Sequence, residues 1–378
     1  MLMTESTTRK TAYPSPLADG NSVLQRESEL YRELANANIE NYAGTARVPV
    51  GIAGPVTVRG DEAKGEFYVP MATTEGTLVA STSRGMKVIN ESGGVRARVI
   101  RNGGIQRAPV FEFHNIDDAA EFTRAMTEDW SWLVPVMEST TSHGKVMDIS
   151  CWQLGSLVCM RVTMDAGDAS GQNMVSIATA KAVTSVLQRH PEVKRHLMAG
   201  GMSGEKVGSN INALLGRGKS VVVSVDIPAD IMRKVTRSNI EDIPRLHRSY
   251  TDFAMLAGNH NSHHSHNNVL PAIYIATGQD PATLCESSYA QNSFDLDREK
   301  DVLRWQVHLP NVNVGTVGGG TGLPTQRECL ELMDCYGAGN VNKLAELCAV
   351  ASLANEISFW GSVCAQEWID AHANLRQK

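Results

Sequence analysis

Apolar and polar positions change rhythm several times along the 378-residue chain, and each rhythm predicts a different kind of element. Residues 21–40 (NSVLQRESELYRELANANIE) space Leu24, Leu30 and Leu34 at near-helical intervals, which predicts one amphipathic helix leading into the body. That helix should stop before the Gly and Pro of GTARVPVGIAGP. From Val95 to about Gly200, strand-like runs (VRARVIR, APVFEFH, KVMDISCWQL, LVCMRVTMD) alternate with helical ones (IDDAAEFTRAMTEDW, ATAKAVTSVLQRH), the order of a small α+β unit. This unit should end near the glycines of HLMAGGMSGEKVGS, and SVVVSVDI from Ser220 reads as a further apolar strand. From about Lys343 to His372 the text is Ala-rich and nearly free of breakers, which predicts a long helix buried round much of its circumference. The first 20 residues are polar, carry two prolines and read as a loosely attached arm.

Composition narrows the function. A formal net charge of -6 argues against a protein held mainly by nucleic-acid phosphates, which need clustered Lys and Arg. No run approaches the roughly 20 apolar residues of a spanning helix, and MLMTESTTRKTAYPSPLADG lacks the apolar core of a signal peptide, so no membrane partner and a cytoplasmic location are expected. The seven cysteines include no CxxC pair, which suggests reduced, packed thiols and neither a zinc cage nor a disulfide framework.

Two glycine-bearing segments could approach a ligand closely. In DAGDASGQNMVS (165–176), small residues and Asn173 stand between a strand and a helix start, where free N–H groups can face a phosphate, or where an ordinary turn would look the same. It lacks the GxGxxG of a Rossmann site. In GTVGGGTGLPTQ (315–326), Gly318, Gly319 and Gly320 are costly to order and suit a ligand-contacting loop.

Titratable candidates carry paired readings. Glu75, in PMATTEGTLVAST, is either a helix-start carboxylate or a general acid whose desolvation would raise its pKa. Asp280 follows the apolar run VLPAIYIATGQ like an acid at the end of a buried strand, although Pro281 after it also suits an N-cap. Lys206 lies among glycines beside Glu205, and His372 near the C-terminus; each could equally be a solvated surface group. His260, His263, His264 and His266 form a short run without HExxH or cysteine partners, so a polar or capping segment is expected there and no metal site.

Taken in order, ENYAGTARVPVGIAGP (40–55), VPMATTEGTLVASTSRG (69–85), GDASGQNMVS (167–176), NVLPAIYIATGQD (268–280) and GTVGGGTGLPTQ (315–326) resemble the HMG-CoA reductases, in texture closer to the class I form. The resemblance covers about residues 37–372. It implies an α+β fold: a large domain around a long central helix (37–98 and 201–378), an inserted small non-Rossmann, ferredoxin-like NAD(P)-binding domain (99–200), and an N-terminal arm and helix (1–36). It also implies a homo-oligomer, a dimer or larger, with active sites between subunits.

The same resemblance implies roles. Glu75, Lys206, Asp280 and His372 fall on the family's catalytic glutamate, lysine, aspartate and histidine. Lys206 would stabilise the oxygen where negative charge develops during hydride attack on a thioester carbonyl, and His372 would protonate the departing thiolate. Glu75 would donate the proton that completes the second reduction, with Asp280 raising the pKa of its neighbours. Arg98, Glu205, Arg248, Asn268, Ser81 and Arg84 fall at substrate-binding positions. Asp168, Ser170, Gly171, Gln172, Asn173, Met174, Val317, Gly318 and Gly319 fall at cofactor-binding ones. NADPH is the expected cofactor with NADH possible, and Arg376 and His143 are candidates for the 2′-phosphate. The chain departs from the family pattern at Thr45 (usually Tyr, over the CoA end), Val207 (usually a second Lys) and Glu205 (commonly Asp), and the histidine that assists the CoA thiol falls near Ser265, between His264 and His266. The expected reaction is reduction of an acyl-CoA thioester to an alcohol by two hydrides, HMG-CoA to mevalonate first. The rivals are another acyl-CoA or carrier-protein thioester and a catalytically silent, metal-binding homologue.

Overall fold

The structure is a computed structural model that describes residues 29–259, 261 and 263–366. Its elements run α1 (Glu29–Asn38), β1 (Val50–Gly60), β2 (Lys64–Ala72), α2 (Leu78–Glu91), β3 (Val95–Arg107), β4 (Val110–Glu112), α3 (Ile116–Glu128), α4 (Val134–Glu138), β5 (Lys145–Leu154), β6 (Leu157–Asp165) and α5 (Gln172–Arg189). There follow β7 (Arg195–Leu197), α6 (Asn210–Leu215), β8 (Gly218–Pro228), α7 (Ala229–Thr236), α8 (Asp242–Leu256), α9 (His266–Thr277), β9 (Gln291–Asp297), β10 (Val302–Val312), α10 (Pro324–Leu332) and α11 (Val341–Cys364).

Ten strands form one sheet in the order β7-β4-β6-β3-β8-β10-β9, with β1 pairing β2 and β3, and β5 pairing β6. Its two halves serve two cores. The larger core gathers Val56, Val58, Val69, Val221, Val223, Trp305 and Val307 from strands against Met86 and Ile89 of α2, Ile273 of α9 and the body of α11. The smaller gathers Phe111, Met160, Val162 and Met164 from strands against Phe122 and Met126 of α3 and Ala178, Ala182 and Val186 of α5. In this smaller half every pairing is antiparallel and the order is β5-β6-β4-β7, crossed by α3 and α5, as in a ferredoxin-like β-α-β-β-α-β unit.

The expected boundary at residue 98/99 lies inside β3. That strand feeds Val95 and Ala97 into the larger core and Ile105 into the smaller. Register shifts at Val99/Arg101 and Asn102/Gly104 bend it between the two, as bulges do.

The breaker-free C-terminal text forms α11, which is enclosed on nearly all sides, from Leu344 through Ser362. By length and composition this helix could also cross a membrane, but 83% of its most apolar window is buried inside the fold. It packs closely on α2: a β-carbon placed on Gly85 would lie 1.6 Å from the carbonyl oxygen of Ala354, so only glycine allows this approach.

One expectation is corrected here. The apolar run before Asp280 is not a strand but helix α9, with Pro271 inside it. Continuous burial marks strands and core helices alike, and the run's length favours the helix. The β1–β2 hairpin, β9, β10, α7 and α8 are not among the elements expected, although α7 and α8 each present one apolar face and β9 and β10 alternate.

Candidate active site

Helix α2 begins after the loop Thr73–Thr77, and Thr73 Oγ1 accepts the Glu75 N–H at 3.0 Å. Glu75 is exposed rather than enclosed among apolar side chains. It lines a cleft of about 320 Å³ together with Ser81 and Arg84 from α2, His264 just before α9, Asn268 in its first turn, and Phe359 and Ser362 from the last turns of α11. Four expected site residues thus share one concavity. Arg84 is held in it by donating to Ser358 Oγ (2.9 Å), Ser358 O (2.7 Å) and Ser362 Oγ (2.6 Å), while Ser81 and Ser358 share a hydrogen bond of 2.8 Å. His372 lies outside the described residues, as do His260 and Arg376.

Of the other histidines, His264 faces this cleft, near 3.1 Å from Tyr250 Oη and against the Phe359 ring. His263 and His266 are buried behind it, their Nδ1 atoms 3.1 Å apart. Burial, then the neighbouring His263, pushes His266 down to about 3, so its ring stays neutral. Glu356 of α11 anchors the segment: its carboxylate accepts from the N–H groups of His264 and Ser265, from Asn292 Nδ2 and from Trp360 Nε1. Burial alone would raise this carboxyl, but His263 and these donors hold it at about 2.

Beyond the C-terminal end of α9, Lys206 Nζ lies 2.9 Å from Asp280 Oδ2, both side chains nearly half exposed (47% and 44%). This pairing raises the lysine above its usual pKa, against a slight opposing effect of burial. Asp280 also meets its N-cap reading, since Oδ1 accepts the Ala282 N–H and caps the 3-10 helix Pro281–Ser288. Glu205 is tied by a 2.6 Å ion pair to Arg107, which in turn donates to Ser176 of α5.

The two glycine-bearing segments meet. The Asp168 carbonyl accepts the N–H groups of Thr316 (2.8 Å) and Val317 (3.4 Å), and Asp168 Oδ1 accepts that of Val341 at the start of α11. Gly171 caps α5 with φ +77°, Gln172 opens its first turn, and Gly318 and Gly319 also hold positive φ. A β-carbon on Gly318 or Gly319 would meet nothing within 4 Å, whereas one on Gly171 would lie 2.2 Å from the Ala166 β-carbon, and the N–H groups at the α5 N-terminus suit a phosphate. Gln279 bridges this region to Asp280 by exchanging hydrogen bonds with both the N–H and the carbonyl of Gly315, at 2.7 and 2.9 Å. Lys219 is buried beside these loops; burial lowers its pKa against the pull of Asp165 and Asp168.

A hydroxymethylglutaryl-coenzyme A reductase family model matches residues 9–377. The chain belongs to the hydroxymethylglutaryl-coenzyme A reductase family. It is 38% identical over 352 residues to 3-hydroxy-3-methylglutaryl-coenzyme A reductase of Aeropyrum pernix, covering 91% of this chain and 83% of that one. To the reductase of Halobacterium salinarum it is 37% identical over 351 residues, covering 91% and 85%. Its fold is similar to that of the class II reductase of Streptococcus pneumoniae bound to NADPH in open conformations, with a TM-score of 0.68 at 18% identity over 88% of this chain and 89% of that one.

Within this reductase, Arg98 and Arg248 are not brought to the cleft residues: Arg98 pairs with Asp61 at 3.3 Å and Arg248 with Asp252 at 3.8 Å, all four well exposed. Arg107, Arg217, Glu286 and Glu356 escaped the sequence reading. The two arginines sit next to glycines or small residues without any charge pattern, and the two acids lie in helices that read as apolar; a charged residue inside an otherwise buried run was the available signal. Thr45 lines a separate groove of about 340 Å³ with Tyr31, Arg47, Thr325 and Gln326, and Val207 is 51% exposed.

Proposed function

We propose that the chain reduces the thioester of HMG-CoA to the alcohol mevalonate, releasing CoA, by two hydride transfers from NADPH. The observation that carries this reading is the Lys206–Asp280 pair, joined through Gln279 to the meeting point of the two glycine-bearing loops. An ammonium held by a carboxylate, on the same loop network as a helix start that suits a phosphate, supports hydride transfer to a polarised carbonyl.

NADPH supplies the hydride when bound, with Asp168, Ser170, Gly171, Gln172, Asn173 and Met174 on one loop and helix start and Val317, Gly318 and Gly319 on the other to hold it. Lys206 stabilises the carbonyl oxygen as negative charge grows there. Asp280 keeps that ammonium protonated and aimed. Ser81, Arg84 and Asn268 hold the CoA thioester in the cleft, His264 faces the departing thiol side, and Glu75 and His372 donate protons to the alcohol oxygen and the thiolate. Exposure of Glu75, Lys206 and Asp280 in one chain supports a homo-oligomer in which a second copy completes the site. Mixing the Arg84→Ala protein, weakened in thioester binding, with the Lys206→Ala protein, weakened in turnover, would then restore part of the activity.

The test is direct: purified protein should consume two NADPH per CoA released from HMG-CoA. Turnover only with another acyl thioester would favour the rival substrate that Thr45 and Val207 leave open. No turnover with any thioester would reject the reading.

A further inference from the structure

The backbone of Lys206 lies in the left-handed region, φ +55°. A side chain with a β-carbon rarely adopts it, and such residues persist where their surroundings over-determine them. The surroundings are on one short helix. Asp280, its N-cap, takes the ammonium, and Glu286, near its other end, takes the backbone: Lys206 N–H donates to Glu286 Oε1 at 2.9 Å.

Glu286 cannot wander. Its side chain is fully buried with that of Arg217, whose Nε lies 2.8 Å from Oε2. Asn313 Nδ2 donates to the same oxygen and Asn311 Nδ2 to the Glu286 carbonyl, each at 3.1 Å. Arg217 Nη1 donates to the carbonyl and Oε1 of Gln106, and Nη2 to Oε1 of Gln172 in the first turn of α5. A continuous buried chain therefore runs from the candidate cofactor helix to the peptide of Lys206. Desolvation offsets much of the attraction in such a pair, so stability does not account for it; geometry does.

We propose that Glu286, anchored by Arg217, is a positioning residue for the reduction. It locks the peptide of Lys206 into the left-handed turn that aims the ammonium at Asp280 and at the carbonyl to be reduced, and Arg217 ties that turn to the first turn of α5. This rests on Lys206 being the cation of the reaction.

The test uses the full chain in three forms: wild type, Glu286→Gln/Arg217→Met and Glu286→Leu/Arg217→Met. Both doubles remove the buried charges together; only the Gln form keeps an acceptor for the Lys206 N–H. In wild type and the Gln double that amide should exchange slowly with deuterated solvent, and in the Leu double at nearly the unprotected rate. With HMG-CoA and NADPH, kcat of the Leu double should fall about 10- to 100-fold below that of the Gln double, as expected of a misplaced group. KM for both substrates should stay within about threefold, since ground-state binding is not removed. Equal kcat and equal exchange in the two doubles would overturn the proposal. If a double does not fold, wild type still decides: a Lys206 amide that exchanges without protection is not held by Glu286. Failure of the underlying reading looks different, namely no HMG-CoA turnover by wild type or full activity in Lys206→Ala, and leaves the exchange result intact.

Discussion

Replacing Gly85 by alanine sets two physical effects against each other. In an isolated helix the change should help by about 1 kcal/mol, because alanine loses less freedom on folding. Gly85 lies inside α2, so sequence alone recommends it. In the fold the new methyl would lie 1.6 Å from the Ala354 oxygen and 2.4 Å from its carbon, where about 3 Å is the closest a β-carbon comes. The obstacle is backbone of α11, which no rotamer change can clear, so the helices must separate by about 1.4 Å. Overpacking of this kind costs about 1–3 kcal/mol, and here the upper end applies because Leu78, Thr82, Met86 and Ile89 on the same face shift together. The net expectation is a loss of about 2 kcal/mol, measured as a lower urea midpoint at unchanged slope. The separation also pulls Ser81 and Arg84 from Ser358 and Ser362, so KM for the thioester should rise in the folded fraction. A Gly85→Ala protein as stable as wild type, with the same KM, would refute the argument that this contact sets both packing and cleft.

The remaining expectations concern charge. Asp280→Asn should leave the melting temperature nearly unchanged, because the pair with Lys206 is almost half exposed and such pairs contribute at most about 1 kcal/mol; kcat should nevertheless fall, and Lys206→Ala should lower it about 10²- to 10³-fold. Arg84→Met should raise KM for the CoA thioester about tenfold or more, the scale of one charged hydrogen bond, with a smaller effect on kcat; equal KM would remove Arg84 from substrate binding. His266 is neutral in the fold, with its pKa pushed down by burial to about 3, whereas the unfolded chain takes up that proton below about pH 6.5. The unfolded state then binds more protons, so stability is full above about pH 6.5 and declines as pH falls toward 3. Glu356, held at about 2, adds a further loss as pH drops below its ordinary value of 4.5. Urea unfolding from pH 7 to 4 should trace this decline, and a flat profile would contradict the buried neutral imidazole.

What was legible in the text was whatever repeats or breaks a backbone pattern. The breaker-free stretch from Lys343 declared α11, and the alternation of runs after Val95 declared the small antiparallel unit, because burial of a helix or sheet face imposes periodicity on many residues at once. The glycine segments at 165–176 and 315–326 were legible as loops, though not as neighbours. Their meeting depends on the hydrogen bonds of the Asp168 carbonyl, and a carbonyl leaves no mark in a sequence.

The site divides along the same line. Glu75, Lys206 and Asp280 stand in motifs that resemble the family's, so candidates for the reacting groups could be named from that resemblance, whereas the residues alone left each with a second reading. The groups that aim them could not. Glu286, Arg217 and Glu356 each act through one buried contact with a peptide N–H or a partner far along the chain, and such a contact imposes no spacing on its neighbours. Both acids nonetheless do the same thing at different ends of α9: Glu356 fixes the peptides of His264 and Ser265 behind the cleft, and Glu286 fixes the peptide of Lys206. A buried carboxylate that accepts backbone N–H groups can hold a loop as firmly as secondary structure does, because leaving either side unpaired costs about 1–3 kcal/mol or more. Loops carrying reactive side chains need that rigidity without the regular geometry of a helix or strand. A fully buried acid in an apolar run, with no basic residue nearby in sequence, is therefore the feature by which such a support could be sought in other chains.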